Sequence, residues 1–133
     1  TMNYFNDLLE LTGNCYAPFS GFRVASIVVT NSGGIYRGVN VESVAYPTTI
    51  CAERNAIFSA VTDGIKVGDI KEVHILAKNA DQELFPAFPC GSCRQIIAEQ
   101  SLNKATVYIY SSKDDVTARS ISELLPDAFF SLS

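Results

Sequence analysis

Residues 23–41, RVASIVVTNSGGIYRGVNV, decide the fold class. The β-branched run Arg23 to Thr30 and the extended run Ile35 to Val41 flank Asn31-Ser32-Gly33-Gly34, which is turn chemistry, so the stretch reads as an antiparallel hairpin. The Gly pair is a turn and not a phosphate cradle, because the rest of a nucleotide-loop fingerprint is missing. Downstream, Cys51 to Asp63 carries Ala52, Ala56, Ile57, Ala60 and Val61 as the stripe of a helix laid on a sheet, and Gly64 terminates it. Val73 to Ala77 is a short apolar strand. A loop with Pro86 and Pro89 leads to a helical pattern from about Ser92 to Leu102 and a β-rich run from Ala105 to Tyr110. Upstream, Tyr4, Phe5, Leu8, Leu9 and Leu11 recur at helical spacing within Met2 to Thr12, with Gly13 expected in the left-handed position past the helix end. The tail starts a short helix at Ser122-Glu123-Leu124-Leu125, halted by Pro126. The order strand, strand, helix, strand, helix, strand predicts an α/β sandwich whose opening hairpin is antiparallel and whose last strands are made parallel by helical crossovers.

At 133 residues and 14.4 kDa the chain suits one domain, 1–133, burying about two thirds of its unfolded surface. Apolar residues make up 47% and charged residues 18%, which excludes intrinsic disorder. Ten Lys and Arg against 14 Asp and Glu give a net charge of -4 with no basic stripe, so a nonspecific nucleic-acid binder is excluded and a small molecule is the expected partner. Apolar runs fall far short of the roughly 20 residues that span a bilayer, so no membrane partner is expected. The N-terminus has no basic region followed by an apolar block, Thr1 before Met2 reads as a cloning remnant, and a cytoplasmic location is expected. In a reducing compartment, four cysteines point to metal ligation or reactive thiols before disulfides.

Cys90-Gly91-Ser92-Cys93 is a C-x-x-C at the start of one helix, and Cys51 stands at the start of another. Helix N-termini stabilise thiolates through unpaired N–H groups and the dipole, so two converging starts make a zinc cradle. A thioredoxin-like redox pair also uses C-x-x-C but needs no third cysteine. Structural zinc takes four protein ligands, commonly two close pairs, and only one close pair exists here, so the fourth corner is expected to stay open for solvent. Cys15 and His74 are the alternatives for that corner. Glu53, two residues after Cys51, points away from a ligand position in a regular helix, yet at the first turn it can reach over the helix end as a proton shuttle. Its simpler reading is an acidic residue favoured at a helix N-terminus.

Zinc deaminases carry a His or Cys, one residue and Glu, then P-C-x-x-C; this chain has Cys51-Ala52-Glu53 and Pro89-Cys90-Gly91-Ser92-Cys93. Together with Ala17-Pro18-Phe19-Ser20-Gly21-Phe22, Gly38-Val39-Asn40-Val41-Glu42, Cys51-Ala52-Glu53-Arg54-Asn55-Ala56 and the continuation Arg94-Gln95, the sequence resembles the small homotetrameric cytidine deaminases from about Cys15 to Phe129. The resemblance implies a three-layer α/β/α sandwich with a five-stranded mixed sheet. It also implies one zinc per subunit on Cys51, Cys90 and Cys93, with water as the fourth ligand. Zn²⁺ with three thiolates carries a formal charge of -1, and Arg54, matching the arginine that contacts the cysteine sulfurs in the family, would offset it. Asn40 and Glu42 alternate with Val41 on an extended segment, so both face the site if Val41 faces the core; they match the pair that grips the sugar 3'-hydroxyl. Phe19 matches the aromatic lining the pyrimidine pocket, and backbone groups near Ala52 and Cys90 would orient the base.

The tail Leu124-Leu125-Pro126-Asp127-Ala128-Phe129 is similar to the family's Leu-Leu-Pro-Gly-Ala-Phe, whose Phe reaches a neighbouring subunit's active site. Asp127 stands where the family has Gly, as for a left-handed turn, and Ser43 stands where Asn is commoner. The implied reaction is hydrolytic deamination of cytidine and 2'-deoxycytidine, as in pyrimidine salvage, by a homotetramer with shared active sites. Two rivals remain. Blasticidin S deaminases share the metal motif but lack the Glu of the ribose pair, and a noncatalytic zinc-stabilised module would carry a fourth protein ligand.

Overall fold

The computed structural model describes residues 2–132; Thr1 and Ser133 lie outside that range. Strands β1 (Arg23–Thr30), β2 (Ile35–Val39), β3 (Ile70–Lys78), β5 (Thr106–Tyr110) and β6 (Val116–Ser120) form a sheet in the order β2-β1-β3-β5-β6, and the two-residue β4 (Leu84–Phe85) pairs with β3. The β1–β2 hairpin is antiparallel, β3 and β5 run parallel, and β1–β3 and β5–β6 are antiparallel. Helices α2 (Ala52–Thr62) and α3 (Gly91–Gln100) lie on one face with the short α4 (Ile121–Leu124), around Val24, Val28, Val73, Ile75, Ile97 and Ile109. Helix α1 (Phe5–Leu11) covers the other face, where Tyr4, Leu8 and Leu11 meet Ala25, Ile27, Leu76 and Tyr110. The α/β/α layering and the mixed sheet are therefore as expected. No helix among the described residues is long and apolar enough to cross a membrane.

Several local expectations need correction. Gly13 is not left-handed; it sits in a 3-10 turn, Thr12–Asn14, that extends α1 directly. Gly64, at φ +96°, is the left-handed terminator expected after α2. Val61 is 44% exposed and stands outside the buried stripe of Ala52, Ala56, Ile57 and Ala60. Strands β4 and β6 are additions, and β3 starts three residues before Val73. Asp127 adopts φ +54°, the left-handed turn its position suggested.

Gly38 of β2 lies against the first turn of α2: a Cβ there would collide with the Ala52 carbonyl oxygen and the Ala56 amide nitrogen. Backbone thus touches backbone where α2 begins. Gly38→Ala should destabilise the fold by about 1–3 kcal/mol through overpacking; a denaturant midpoint equal to that of the unaltered chain would refute this contact.

Candidate functional site

Cys51 is the N-cap of α2 and Cys90 the N-cap of α3, both extended and neither capping through its side chain. Their thiols are therefore free for other partners, at the positive ends of two helices that pack together. Cys93 enters from the first turn of α3. The three Sγ atoms lie within 4.8 Å of one another, the one grouping of three or more ligand-capable side chains among the described residues. Cys51 and Cys90 Sγ are 3.7 Å apart. Tetrahedral zinc with Zn–S bonds of about 2.3 Å sets sulfur to sulfur at about 3.8 Å, so the donor set and its spacing fit zinc.

Neither alternative for the fourth corner belongs to this group. The Cys15 thiol donates to the Val24 carbonyl at 3.2 Å, and burial pushes its pKa up. His74 is fully buried on β3, bonded to Glu72 and Tyr110. The Glu53 carboxylate is also outside the sulfur grouping. It is only 5% exposed, and burial pushes its carboxyl up to about 7. A carboxyl that titrates near neutrality accepts and releases a proton with similar ease.

The thiols are not equivalent. The Cys93 thiol, hydrogen-bonded to Cys51, brings the Cys51 thiol down to about 5, with Arg54 contributing against the opposing effect of burial. Arg54 Nη2 donates to Cys51 Sγ at 3.4 Å, and the thiolate holds the guanidinium protonated well above its ordinary value. Cys93 itself is driven upward, chiefly by this hydrogen bond. Cys51, Cys90 and Cys93 thus form a donor set in which Cys51 is readily ionised, with the Arg54 guanidinium beside it as counter-charge and not as a ligand.

A cavity of about 210 Å³ opens beside the cluster, lined by Cys51, Ala52, Glu53, Cys90, Asn40 and Glu42, with Phe22, Val24, Thr49, Ile50, Ile75, Ala87 and Phe88 as its further wall. That size suits a single heterocycle better than a large ligand. Val41 does not face the core; it is 38% exposed and bridges Tyr16 and Ile50, yet Asn40 and Glu42 both reach the cavity. Asn40 Oδ1 accepts from the Val24 amide at 3.0 Å and Nδ2 donates to the Phe22 carbonyl at 2.7 Å. Glu42 accepts from the Phe19 amide at 2.9 Å, the Ser20 amide at 3.2 Å and the Ser20 hydroxyl. Phe19 does not line this cavity; it is 48% exposed, edge-on to Tyr46 at 6.0 Å. Phe129 is 68% exposed and also lies outside. Phe22 and Phe88 are the lining aromatics the sequence reading did not assign. Phe22 closes the quoted Ala17–Phe22 motif, and Phe88 sits between Pro86 and Pro89, which was the available signal.

Residues 2–109 match the family model described as the cytidine and deoxycytidylate deaminase zinc-binding region. The chain is 42% identical over 114 residues to a cytidine deaminase of Sporosarcina psychrophila, covering 86% of this chain and 79% of that relative. It is 35% identical over 123 residues to the cytidine deaminase of Halalkalibacterium halodurans, covering 92% and 89%. The fold is similar to the crystal structure of cytidine deaminase from Burkholderia pseudomallei, with a TM-score of 0.80 and 35% identity over 93% of this chain and 98% of that one.

In the metal-free chain, Arg54→Gln should raise the lowest thiol pKa from about 5 toward the ordinary thiol value of about 8.5. Thiolate absorbance followed against pH reads this directly, and an unmoved lowest transition would contradict the Arg54 contact.

Proposed function

The chain belongs to the cytidine and deoxycytidylate deaminase family, and on that basis we propose that it converts cytidine and 2'-deoxycytidine, with water, to uridine and 2'-deoxyuridine plus ammonia. The observation that carries this reading is the meeting of three thiols at two helix starts, two of them lining the same small cavity as a buried carboxyl.

Cys51, Cys90 and Cys93 would hold zinc, which supplies Lewis acidity that brings the pKa of water toward neutrality. Glu53 takes a proton from the attacking water and gives it to N3 of the pyrimidine, which makes C4 more electrophilic. Oxygen bonds to C4, the ring passes through a tetrahedral centre, and Glu53 moves the second proton to the departing amine as the C4–N4 bond breaks. Burial suits Glu53 to both directions, since its carboxyl lies near 7. Arg54 draws charge from Cys51 and so offsets the excess negative charge of a sulfur-only ligand set. Backbone groups at Ala52 and Cys90 line the cavity where the base would be oriented.

Asn40 and Glu42 are the sugar-binding pair of this reading. Asn40 spends one N–H and one lone pair on the chain itself, which leaves one of each for a hydroxyl. Glu42 accepts three hydrogen bonds from residues 19 and 20, leaving about one lone pair. An intact Asn40-Val41-Glu42 favours a nucleoside over blasticidin S. Phe19 and Phe129 face outward in the isolated chain, which supports a homotetramer in which aromatic side chains complete the sites of neighbouring subunits.

Glu53→Gln should keep zinc bound while turnover of cytidine, followed by ultraviolet absorbance, falls by about 10²- to 10⁴-fold; near-normal turnover, or faster ammonia release from blasticidin S than from cytidine by the unaltered chain, would refute the assignment. Sedimentation equilibrium should return four times the 14.4 kDa chain mass. A monomer would leave the outward phenylalanines without a role.

A further inference from the structure

Arg94 and Gln95 follow the C-x-x-C directly, and the reaction derived above uses neither. Arg94 Nε donates to the Pro89 carbonyl at 2.7 Å and Nη1 donates to the Leu124 carbonyl at 2.7 Å. One guanidinium therefore spans two carbonyls from distant parts of the chain. Both are groups that helix geometry leaves open. The backbone N–H of Arg94 goes to Cys90 at 2.9 Å, so the Pro89 carbonyl, one residue before the N-cap of α3, receives no helical donor. Leu124 ends α4, and the N–H of Leu125 goes to Ile121 at 2.9 Å. One residue on, Gln95 Nε2 donates to the Phe129 carbonyl at 2.6 Å. The C-terminal segment is thus fastened to the metal-binding helix at two points, with the left-handed Asp127 between them.

Of the three cysteines, Cys93 is buried, Cys51 is half-buried and Cys90 is exposed. Packing therefore holds Cys90 least. The Pro89 carbonyl belongs to the peptide that joins Cys90, so fixing that peptide plane fixes the direction from which the Cys90 Sγ leaves the backbone. We propose that Arg94 is a positioning residue for the metal centre: it locks the Pro89–Cys90 peptide against α4, so that zinc occupancy and docking of the C-terminal segment are coupled. Arginine suits the task because its rigid planar guanidinium holds several donors in fixed, different directions, so one side chain reaches both carbonyls, whereas lysine offers a single point charge. The inference rests on Cys90 being a zinc ligand, as read above.

Reciprocity supplies two independent readouts, since a tail that favours zinc must be favoured by zinc. Arg94→Lys keeps the charge and the aliphatic stem, and so the fold. By chelator competition it should bind zinc about 10- to 100-fold more weakly than the unaltered chain, the cost typical of losing an outer-shell partner, and its cobalt-loaded form should show shifted thiolate charge-transfer bands. In the unaltered chain, removing zinc with a chelator should speed hydrogen exchange in residues 120–130 as well as around Cys90. A zinc dissociation constant within twofold of the unaltered chain's overturns the proposal, and so does tail exchange indifferent to zinc. An unaltered chain that binds no zinc at all would remove the deaminase reading together with this one.

Discussion

The site depends on two helices beginning at the same place. Helix α2 starts at Cys51 and α3 starts at Cys90, from loops that leave different strands, and both starts lie on one face of the sheet. Serine, threonine, aspartate or asparagine would cap such starts better than cysteine, which here makes no capping bond. Local helix stability is given up twice at one point, and the sulfurs are left free for ligation. Gly38 lets α2 approach β2 closely enough for Cys51 to reach the Cys90 loop. A bulkier β2 residue would separate the two starts, and with them the ligands.

A sulfur-only set creates an electrostatic problem that the surrounding residues answer. In the metal-free chain the Cys51 thiol is pulled down and the Cys93 thiol is driven up, so loading a cation must displace the Cys93 proton. Arg54 is placed to ease that step, one turn into α2 with its guanidinium on Cys51 Sγ. Glu53 answers the opposite need. It lies next to Cys51 in the cavity yet outside the ligand grouping, and burial holds its carboxyl near 7 rather than in the usual carboxylate range. One helical turn therefore brings together a thiol with a lowered pKa, a buried carboxyl near neutrality and a guanidinium.

How far the sequence reveals this depends on whether the signal is local. The C-x-x-C, the isolated Cys51 and the acidic Glu53 are visible because ligand geometry at a helix start leaves a short spacing behind it. The hairpin is visible because Asn31 to Gly34 is flanked by β-branched runs. Strand β6, Val-Thr-Ala-Arg-Ser, was not: it is an edge strand, partly exposed throughout, with no apolar run or clean alternation to mark it. The two-residue β4 exists only through its pairing with β3. Gly13 misled because a 3-10 turn continues α1 where a left-handed cap was expected. Phe22 and Phe88 reach the cavity through loop paths set by tertiary contacts, as where Phe22 meets Phe85 at 5.1 Å. No periodicity encodes such paths.

The opposite face of the sheet holds the chain's histidine, away from the sulfur cluster. His74, the chain's one histidine, is fully buried between Tyr108, stacked at 4.6 Å, and Tyr4, edge-on at 4.7 Å. Its partners fix its tautomer: Nε2–H donates to Glu72 at 2.9 Å, and Nδ1 accepts from the Tyr110 hydroxyl at 2.7 Å. Tyr110 in turn accepts from the Tyr4 amide at 3.2 Å, which ties the entry of α1 to the sheet. Burial lowers the His74 pKa despite Glu72, so the ring stays neutral and the chain of hydrogen bonds keeps its direction. Both ring nitrogens are therefore occupied, Nδ1 through Tyr110 at the entry of α1 and Nε2 by Glu72 of the same strand. With the imidazole committed on the far side of the sheet, the side chains that meet at the two helix starts are thiols, and Arg54 is the cation in contact with them.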